Sequence, residues 1–375
     1  MLTVANALDR LQSAIAAARA QGADAADGLY VGEASTSIQV RLGALEDIGR
    51  SEGEELALRV FVGSRSASVS TSDLGAGALA DLVERAVAMA REAPEDPYAG
   101  LAPADRLARG PFPDLDLDDG GAVDPAALRA AALAAEDAAR AVAGVTNSEG
   151  GGASAGRGTM AIATSHGFAG GYTGSTHGLW AVVIAGEGAT MQRDYASHSA
   201  RHRIDLEAAE AIGRRAGERA VRRLNPARLA SGPMPVVFDP RVGDSLIGHL
   251  IGAITGSAIA RKTSFLLGKR GERVFAPGIA IIDDPHRPRG LRSRAFDGEG
   301  LATRRTDIVA DGVLGGWLLD SASARQLGEQ PTGHATRGIG GPPGAGLTNV
   351  HLAPGTQSVE ELIADIGEGL LVTEL

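Results

Sequence analysis

In the stretch LRVFVGSRSASVST, Leu58 to Thr71, the apolar residues Leu58, Val60, Val62, Ala67 and Val69 alternate with polar neighbours. Ile38, Val40 and Leu42 show the same period of two upstream, which predicts a run of short, half-buried antiparallel strands. Ahead of these strands, Leu8, Leu11 and Ile15 recur at helical spacing and Gly22 supplies a stop. Behind them, Ser72-Asp73 announces a second helix carrying Leu79, Leu82, Val83, Ala86 and Ala90 on one face. Helix, strands, helix predicts an α+β unit over residues 1–93.

Farther along, Pro94, Pro97, Pro103, Pro111 and Pro113 and the acidic run Asp114 to Asp119 leave no periodicity, so 94–124 reads as a linker draped over the surface. A middle α+β segment, 125–228, follows. It opens with Asp124-Pro125 as cap and first-turn proline of an alanine-rich helix reaching about Val142. Glycine-punctuated short strands follow from Val145 to about Asp194, then a helix from Asp205 to Leu224 capped by Asp205. The last segment, 229–375, reads as a mostly antiparallel β domain around a buried helix, 239–258, that starts at Asp239-Pro240. Strands are expected at Val236–Phe238 and Ile279–Ile282, with a hairpin turning on Asp311-Gly312.

Composition narrows the function. The 375 residues carry a net charge of −10, 44% hydrophobic residues, 52 glycines and no cysteine. Thiolate metal sites, disulfides and a thiol nucleophile are therefore excluded. An acidic balance offers no field to attract nucleic acid or an anionic membrane. The longest apolar stretch, Ser245 to Ala260, is broken by His249 and glycines and is too short to span a bilayer. Met1 to Gln12 lacks the basic and apolar regions of a secretory signal, and a cytoplasmic protein is the expectation.

No complete catalytic constellation emerges from residue types alone. Gly152-Ala153-Ser154-Ala155-Gly156 matches the nucleophile-elbow pattern but lacks a strand before it and a helix after it, so a flexible glycine loop is the better reading. Gly256 to Thr263 resembles a phosphate loop with Arg261 in place of the second glycine. His198 and His202 are four apart without the glutamate of a zinc peptidase, and their surroundings read as a solvated strand end. His249 reads as a histidine satisfied within a packed helix. Asp283-Asp284 and Asp297-x-Glu299 are the strongest carboxylate clusters, although their turn residues favour backbone capping. Arg287, Arg289, Arg292, Arg294, Arg304 and Arg305 read as a mobile, solvated loop.

Taken together, several strings resemble one family. They are Val40-Arg41-Leu42-Gly43 with Glu46, the stretch 58–71, Met191-Gln192-Arg193-Asp194-Tyr195, and Thr263-Ser264-Phe265-Leu266 with Gly268. Phe296-Asp297-Gly298-Glu299-Gly300, Asp311-Gly312-Val313-Leu314 and Ser323-Ala324-Arg325 with Gly328 complete the set. In order along nearly the whole chain, they resemble the TldD/PmbA family, and specifically its PmbA (TldE) branch, whose older label is modulator of DNA gyrase. The resemblance implies a cytoplasmic zinc metallopeptidase of two related subunits that degrades small or unfolded peptides. The TldD-type partner carries an HExxxH helix and a cysteine ligand. Counting back from Gly268 places its two histidine positions at Ile247 and Gly252 and its glutamate at Gly248. None of these side chains can ligate zinc or transfer a proton. By this resemblance no residue here is catalytic or metal-binding, and zinc belongs to the partner. His249, Arg261, Asp297 and Glu299 are the candidates for substrate or partner contact. The expected assembly is a heterodimer with a TldD-like subunit, or a homodimer, closing a peptide chamber. The family continues past Val372-Thr373-Glu374-Leu375 with a further glycine-rich strand segment.

Two other readings are open at this level. One is a self-associating peptide-binding or regulatory protein without protease activity. The other is an autonomous hydrolase holding a divalent cation on Asp283, Asp284, Asp297 and Glu299.

Overall fold

The computed structural model describes residues 1–228, 230–366 and 368–375, and the architecture is α+β. The strands expected to be short are long. β1 (Ala25–Arg41), β2 (Ala44–Val62), β3 (Arg65–Thr71), β4 (Val145–Thr164), β5 (Ala169–Ala185) and β6 (Gln192–Ala200) form one antiparallel sheet in the order β3-β2-β1-β4-β5-β6. Segments 1–93 and 125–228 therefore share a sheet. β1 pairs with β4 from Asp27↔Thr164 to Val40↔Gly151. Glycine misleads the local reading of β4, because here it marks close approach rather than a turn. A Cβ on Gly151 would lie 2.7 Å from the Ala132 carbonyl, and one on Gly152 would collide with the Trp180 indole. Gly152 to Gly156 thus lies inside a continuous strand and forms neither an elbow nor a loop.

Alternation along β1 sorts the two faces. Ala26, Tyr30, Ile38 and Val40 face helices that fall into two pairs. α1 (Val4–Ala20) and α2 (Ala76–Glu92) cover one half of that face, and α3 (Pro125–Arg140) and α4 (Ala209–Arg222) the other. α1 is capped by Thr3, whose side chain accepts from the Asn6 amide, and Gly22 follows its end at φ +97°. α2 starts later than Ser72-Asp73 suggests, because Asp73 spends its carboxylate on the Gly75 amide at 2.8 Å. α3 starts as expected, with Asp124 accepting from Ala126 at 2.9 Å. α4 begins at Ala209 without a side-chain cap, while Asp205 closes a separate 3-10 turn. The alanines of α3 let α4 approach closely: a Cβ on Gly217 would sit 2.7 Å from the Ala139 carbonyl.

The opposite face carries Asp27, Leu29, Val31, Glu33, Ser35 and Ser37 from β1. The C-terminal segment packs on its first half, where Leu29, Ala57 and Ile162 meet Phe168 and Phe296. The Phe168 and Phe296 rings meet edge-on at 4.9 Å. This segment holds the short strands β7 (Val236–Phe238), β8 (Ile281–Asp283), β9 (Thr306–Ala310), β10 (Val313–Leu314), β11 (Ala335–Thr336), β12 (Gly344–Ala345), β13 (Val350–Leu352) and β14 (Leu370–Val372). β10-β9-β8-β13 form a small antiparallel sheet, β9 and β10 turn on Asp311-Gly312, and β14 pairs with β7 in parallel. Around them lie α5 (Pro240–Ile254), α6 (Gly256–Ala260), α7 (Ser321–Leu327) and α8 (Val359–Ile366). The expected helix 239–258 breaks at Thr255. Flanking hydrogen bonds from Gly256 N to Leu318 O and from Leu318 N to Ile254 O hold that residue extended.

The linker 94–124 is tied down rather than draped. Arg325 donates to the carbonyls of Tyr98, Gly100 and Leu101 at 2.7, 3.0 and 3.1 Å. Leu115 and Leu117 are buried, and Leu117 O accepts from Ser175 N at 2.9 Å, taking the edge of β5 beyond the end of β6. Among the described residues no helix is long and apolar enough to cross a membrane.

Candidate functional site

α5 carries the positions that the family resemblance singles out, and it is buried on one side only. Leu250, Ala253 and Ile254 face the C-terminal core, with Ile247 and Ile251 half-buried against it, and Val242 is buried near the start of the helix. Gly248, His249 and Gly252 are exposed, and a Cβ at either glycine would meet open space. The expectation of a buried helix with a satisfied histidine is therefore corrected, since the imidazole stands on the outer face. Isoleucine and glycine offer zinc no lone pair, and a lone imidazole is no ligand set, so the donors here do not fit the metal. Arg261 is exposed just beyond α6. The N-terminus of α5 is anchored on β6, where Arg241 Nη1 lies 2.6 Å from Asp194 Oδ1 and the guanidinium sits over the Tyr195 ring.

Asp297 and Glu299 lie deep beneath the surface, 1% and 5% exposed. Asp297 shapes its own turn: Oδ1 accepts from Glu299 N and Leu301 N, both at 2.9 Å, and Oδ2 from Ala335 N at 3.0 Å. Burial nevertheless raises its pKa. Glu299 accepts from the amide and hydroxyl of Ser321 at 2.8 and 2.7 Å. Burial first, and the Asp297 charge second, push its pKa up to about 7. Neither carboxylate reaches the surface where a substrate would arrive.

Close by, a buried ion cluster docks the C-terminal segment on the sheet. Asp27 of β1 is gripped by Arg59 of β2 through Nε, at 3.2 Å from both oxygens, and through Nη2. Arg337, from the loop after β11, brings Nη1 to 2.7 Å from Asp27 Oδ1. That contact is a meeting of charges rather than an aligned hydrogen bond, because no Arg337 guanidinium nitrogen has a directed acceptor among the described residues. Desolvation opposes ionisation of Asp27, yet the two guanidiniums hold its carboxyl below the ordinary range.

Beyond the C-terminal segment the same sheet face is open. Glu33, Ser35 and Ser37 of β1, Thr176 of β5, and Tyr195, Ser197 and Ser199 of β6 are all exposed on it. A cavity of about 310 Å³ lies where this open face meets the covered half. Val31, Glu33, Met160, Tyr172 and Arg201 line it over a floor that includes Gly156, Gly158 and Gly174.

The remaining candidates are scattered. His202 is buried, with Nε2 2.9 Å from the Asp116 carbonyl, and His198, on β6, accepts from Glu207 N, so the two are not paired on a helix. The expected solvated strand end is thus a packed junction with the linker. Asp283 Oδ1 accepts from Thr348 N and Oγ1 at 2.9 and 2.7 Å, and its Oδ2 lies 3.7 Å from His334 Nε2. Although charge proximity suggests an ion pair, that distance is too long for a hydrogen bond. Burial drives His334 down to about 4 and Asp283 up, so at neutral pH the imidazole is uncharged. Asp284 caps the His286 amide at 3.0 Å. Nor is the arginine-rich stretch loose: Arg289 pairs with Asp116 and Asp205 at 2.6 and 3.1 Å. Among the described residues no three His, Asp or Glu side chains gather as a metal site.

Residue-type reasoning overlooked Asp27, Arg59 and Arg337, as well as Glu33 and Tyr172 of the cavity. The first two carry a signal, a lone charge inside each of two apolar strand runs, ADGLY and ALRVF. Arg337 sits in a glycine-rich loop and carries none.

Comparison with known proteins fits this arrangement. Models of PmbA/TldA metallopeptidase domain 1, central domain and C-terminal domain match residues 26–90, 118–224 and 231–375. The metalloprotease PmbA of Escherichia coli O157:H7 is 37% identical over 97% of this chain and 80% of its own length. The Haemophilus influenzae PmbA homolog is 33% identical over 90% of this chain and 73% of its own. A Bacteroides thetaiotaomicron protein described as a modulator of DNA gyrase superposes with a TM-score of 0.90 at 28% identity, covering 98% of this chain and 81% of that one. TldE from Thermococcus kodakarensis shares the fold, with a TM-score of 0.88 at 21% identity over 98% and 82% of the two chains.

Proposed function

Because the chain belongs to the PmbA/TldD metallopeptidase family, we propose that it is the PmbA-type subunit of a two-subunit zinc peptidase acting on small or unfolded peptides. The carrying observation is the state of α5. Where the resemblance puts zinc ligands and a general base, this chain has Ile247, Gly248 and Gly252. The metal would be held by a TldD-like partner, whose zinc supplies water activation and carbonyl polarisation. This chain's share is to wall the chamber and to hold substrate. The open outer face of α5, which carries the exposed Leu246, is suited to being covered by that partner, and Phe265 and Leu267 beyond α6 are exposed as well. An outer strand such as β6 offers backbone groups to an extended peptide with little demand on sequence. Peptide crosslinks found only on the partner would remove that part of the reading.

The test is a peptidase assay on an unfolded peptide with this chain plus zinc, an HExxxH-bearing relative alone, and the two combined. Cleavage confined to the mixture is expected. Cleavage by this chain alone overturns the assignment of the metal to the partner.

A further inference from the structure

We propose that the glycine-floored cavity beside Glu33 and Tyr172 is a subsite for an alkylammonium group carried by an extended peptide. The proposal rests on the reading that this chain handles peptides. Its volume of about 310 Å³ is comparable to that of roughly ten waters, room for one long side chain and its hydration.

Glycine creates that space. A Cβ on Gly158 would lie 3.7 Å from Glu33 Cγ, and a Cβ on Gly156 would lie 3.4 Å from Ser35 Cβ. Any longer side chain at these floor positions would grow into the cavity. Val31, Met160 and the Tyr172 ring provide apolar wall, and Tyr172 leans on Phe296 with ring centroids 6.0 Å apart.

Charge then selects the ligand. Three charged side chains line the cavity: Glu33, Arg157 and Arg201. Arg157 is paired with an acid, whereas Arg201 keeps its charge and turns its donors away to carbonyls. Arg157 Nε donates to Asp118 at 3.0 Å. Arg201 donates to the Ser175 carbonyl at 3.0 Å and to the Leu291 carbonyl at 2.5 Å. Among the described residues, Glu33 has neither an ion pair nor a side-chain hydrogen bond, and it is exposed to the cavity mouth. The uncommitted groups are thus a carboxylate with the hydroxyls of Ser35 and Tyr172, an acceptor-rich set over an apolar wall. An ammonium on an alkyl stem matches both parts: the stem lies on Met160 and Tyr172 while its head meets Glu33. A carboxylate ligand would face Glu33, and it would meet Arg157 already paired with Asp118 and Arg201 with its donors turned to the Ser175 and Leu291 carbonyls.

The experiment is a binding titration of this chain, without any partner, against blocked short peptides that differ only in lysine or norleucine at one position. A third peptide, norleucine with a free N-terminus, separates a side-chain ammonium from an α-ammonium. Either ammonium-bearing peptide should bind about fivefold or more tightly than the neutral one, with the preference falling at high salt. Glu33→Gln should erase the preference, whereas Glu187→Gln, on the exposed β5–β6 turn, should keep it. Gly158→Val should weaken all three peptides by filling the floor, and Glu33→Gln, an exposed change, keeps the test valid if that variant misfolds. Equal affinity for all three peptides, an undiminished preference in Glu33→Gln, or no saturable binding would overturn the subsite. The subunit assignment stands or falls separately, on the reconstituted cleavage assay.

Discussion

Replacing Asp27 by asparagine should undo more than one contact. Asp27 is 2% exposed and is the carboxylate that both Arg59, 6% exposed, and the buried Arg337 face at contact distance. Asparagine preserves the shape and one acceptor but removes the charge, leaving two guanidiniums in a desolvated site. Breaking a buried ion pair on one side costs about 3–5 kcal/mol. Arg59 keeps a neutral acceptor, so the lower end, about 3 kcal/mol, is the expectation. That is a large share of a typical stability of roughly 5–15 kcal/mol. The chain's two tryptophans allow the loss to be located: Trp180 lies on β5 and Trp317 in the core of the C-terminal segment. Urea titrations of the Trp180→Phe and Trp317→Phe backgrounds, each with and without Asp27→Asn, read the two regions separately. The Trp317 transition should move to lower urea first, because the cluster joins the C-terminal segment to the sheet. Converting all three residues to apolar ones (Asp27→Leu, Arg59→Met, Arg337→Met) should cost less than the single change, since no charge is then stranded. A loss below about 1 kcal/mol for Asp27→Asn, or a triple variant weaker than the single one, would refute the coupling.

Glu299 gives a pH signature. Its folded pKa of about 7 lies above the ordinary 4.5, so the folded state holds the proton more tightly and stability falls as pH rises between those values. Between about pH 5 and about pH 8 that difference amounts to roughly 2–3 kcal/mol, which Glu299→Gln should remove from the change in unfolding free energy across the window. An unchanged difference would mean the carboxyl is not desolvated as described. Arg325→Lys should free the segment 98–101, because one ammonium cannot serve the three carbonyls that the guanidinium holds, and limited proteolysis should cut there. Gly217→Ala should gain about 0.5–1 kcal/mol of helix propensity yet lose about 1–3 kcal/mol to the clash with Ala139 and Val142, for a net fall in Tm.

Much of the local structure was readable because it rests on local chemistry. Caps at Asp124 and Asp239, each followed by proline, place the starts of α3 and α5 almost to the residue. Period-two runs identify the strands, and the Asp311-Gly312 turn fixes a hairpin, with both residues at positive φ. Errors arose where local signals had two meanings. Glycine in β4 reads as a turn until the Trp180 ring and α3 are seen pressed against it. Histidine at position 249 on an apolar helix reads as core until the helix is seen to have one covered side.

The linear order of residues was enough for the α+β class, for the family resemblance, and for the absence of zinc-binding side chains at positions 247, 248 and 252. Those are properties of residue type and spacing, which no folding event alters. Tertiary structure alone decided that residues 1–93 and 125–228 share one sheet, since β1 and β4 are joined by backbone hydrogen bonds that leave no mark on composition. It also decided that Asp297 and Glu299 are buried turn-makers, while Glu33 stands uncommitted over a glycine floor. A carboxylate's role depends on which donors and how much water surround it, and only the packed chain sets those.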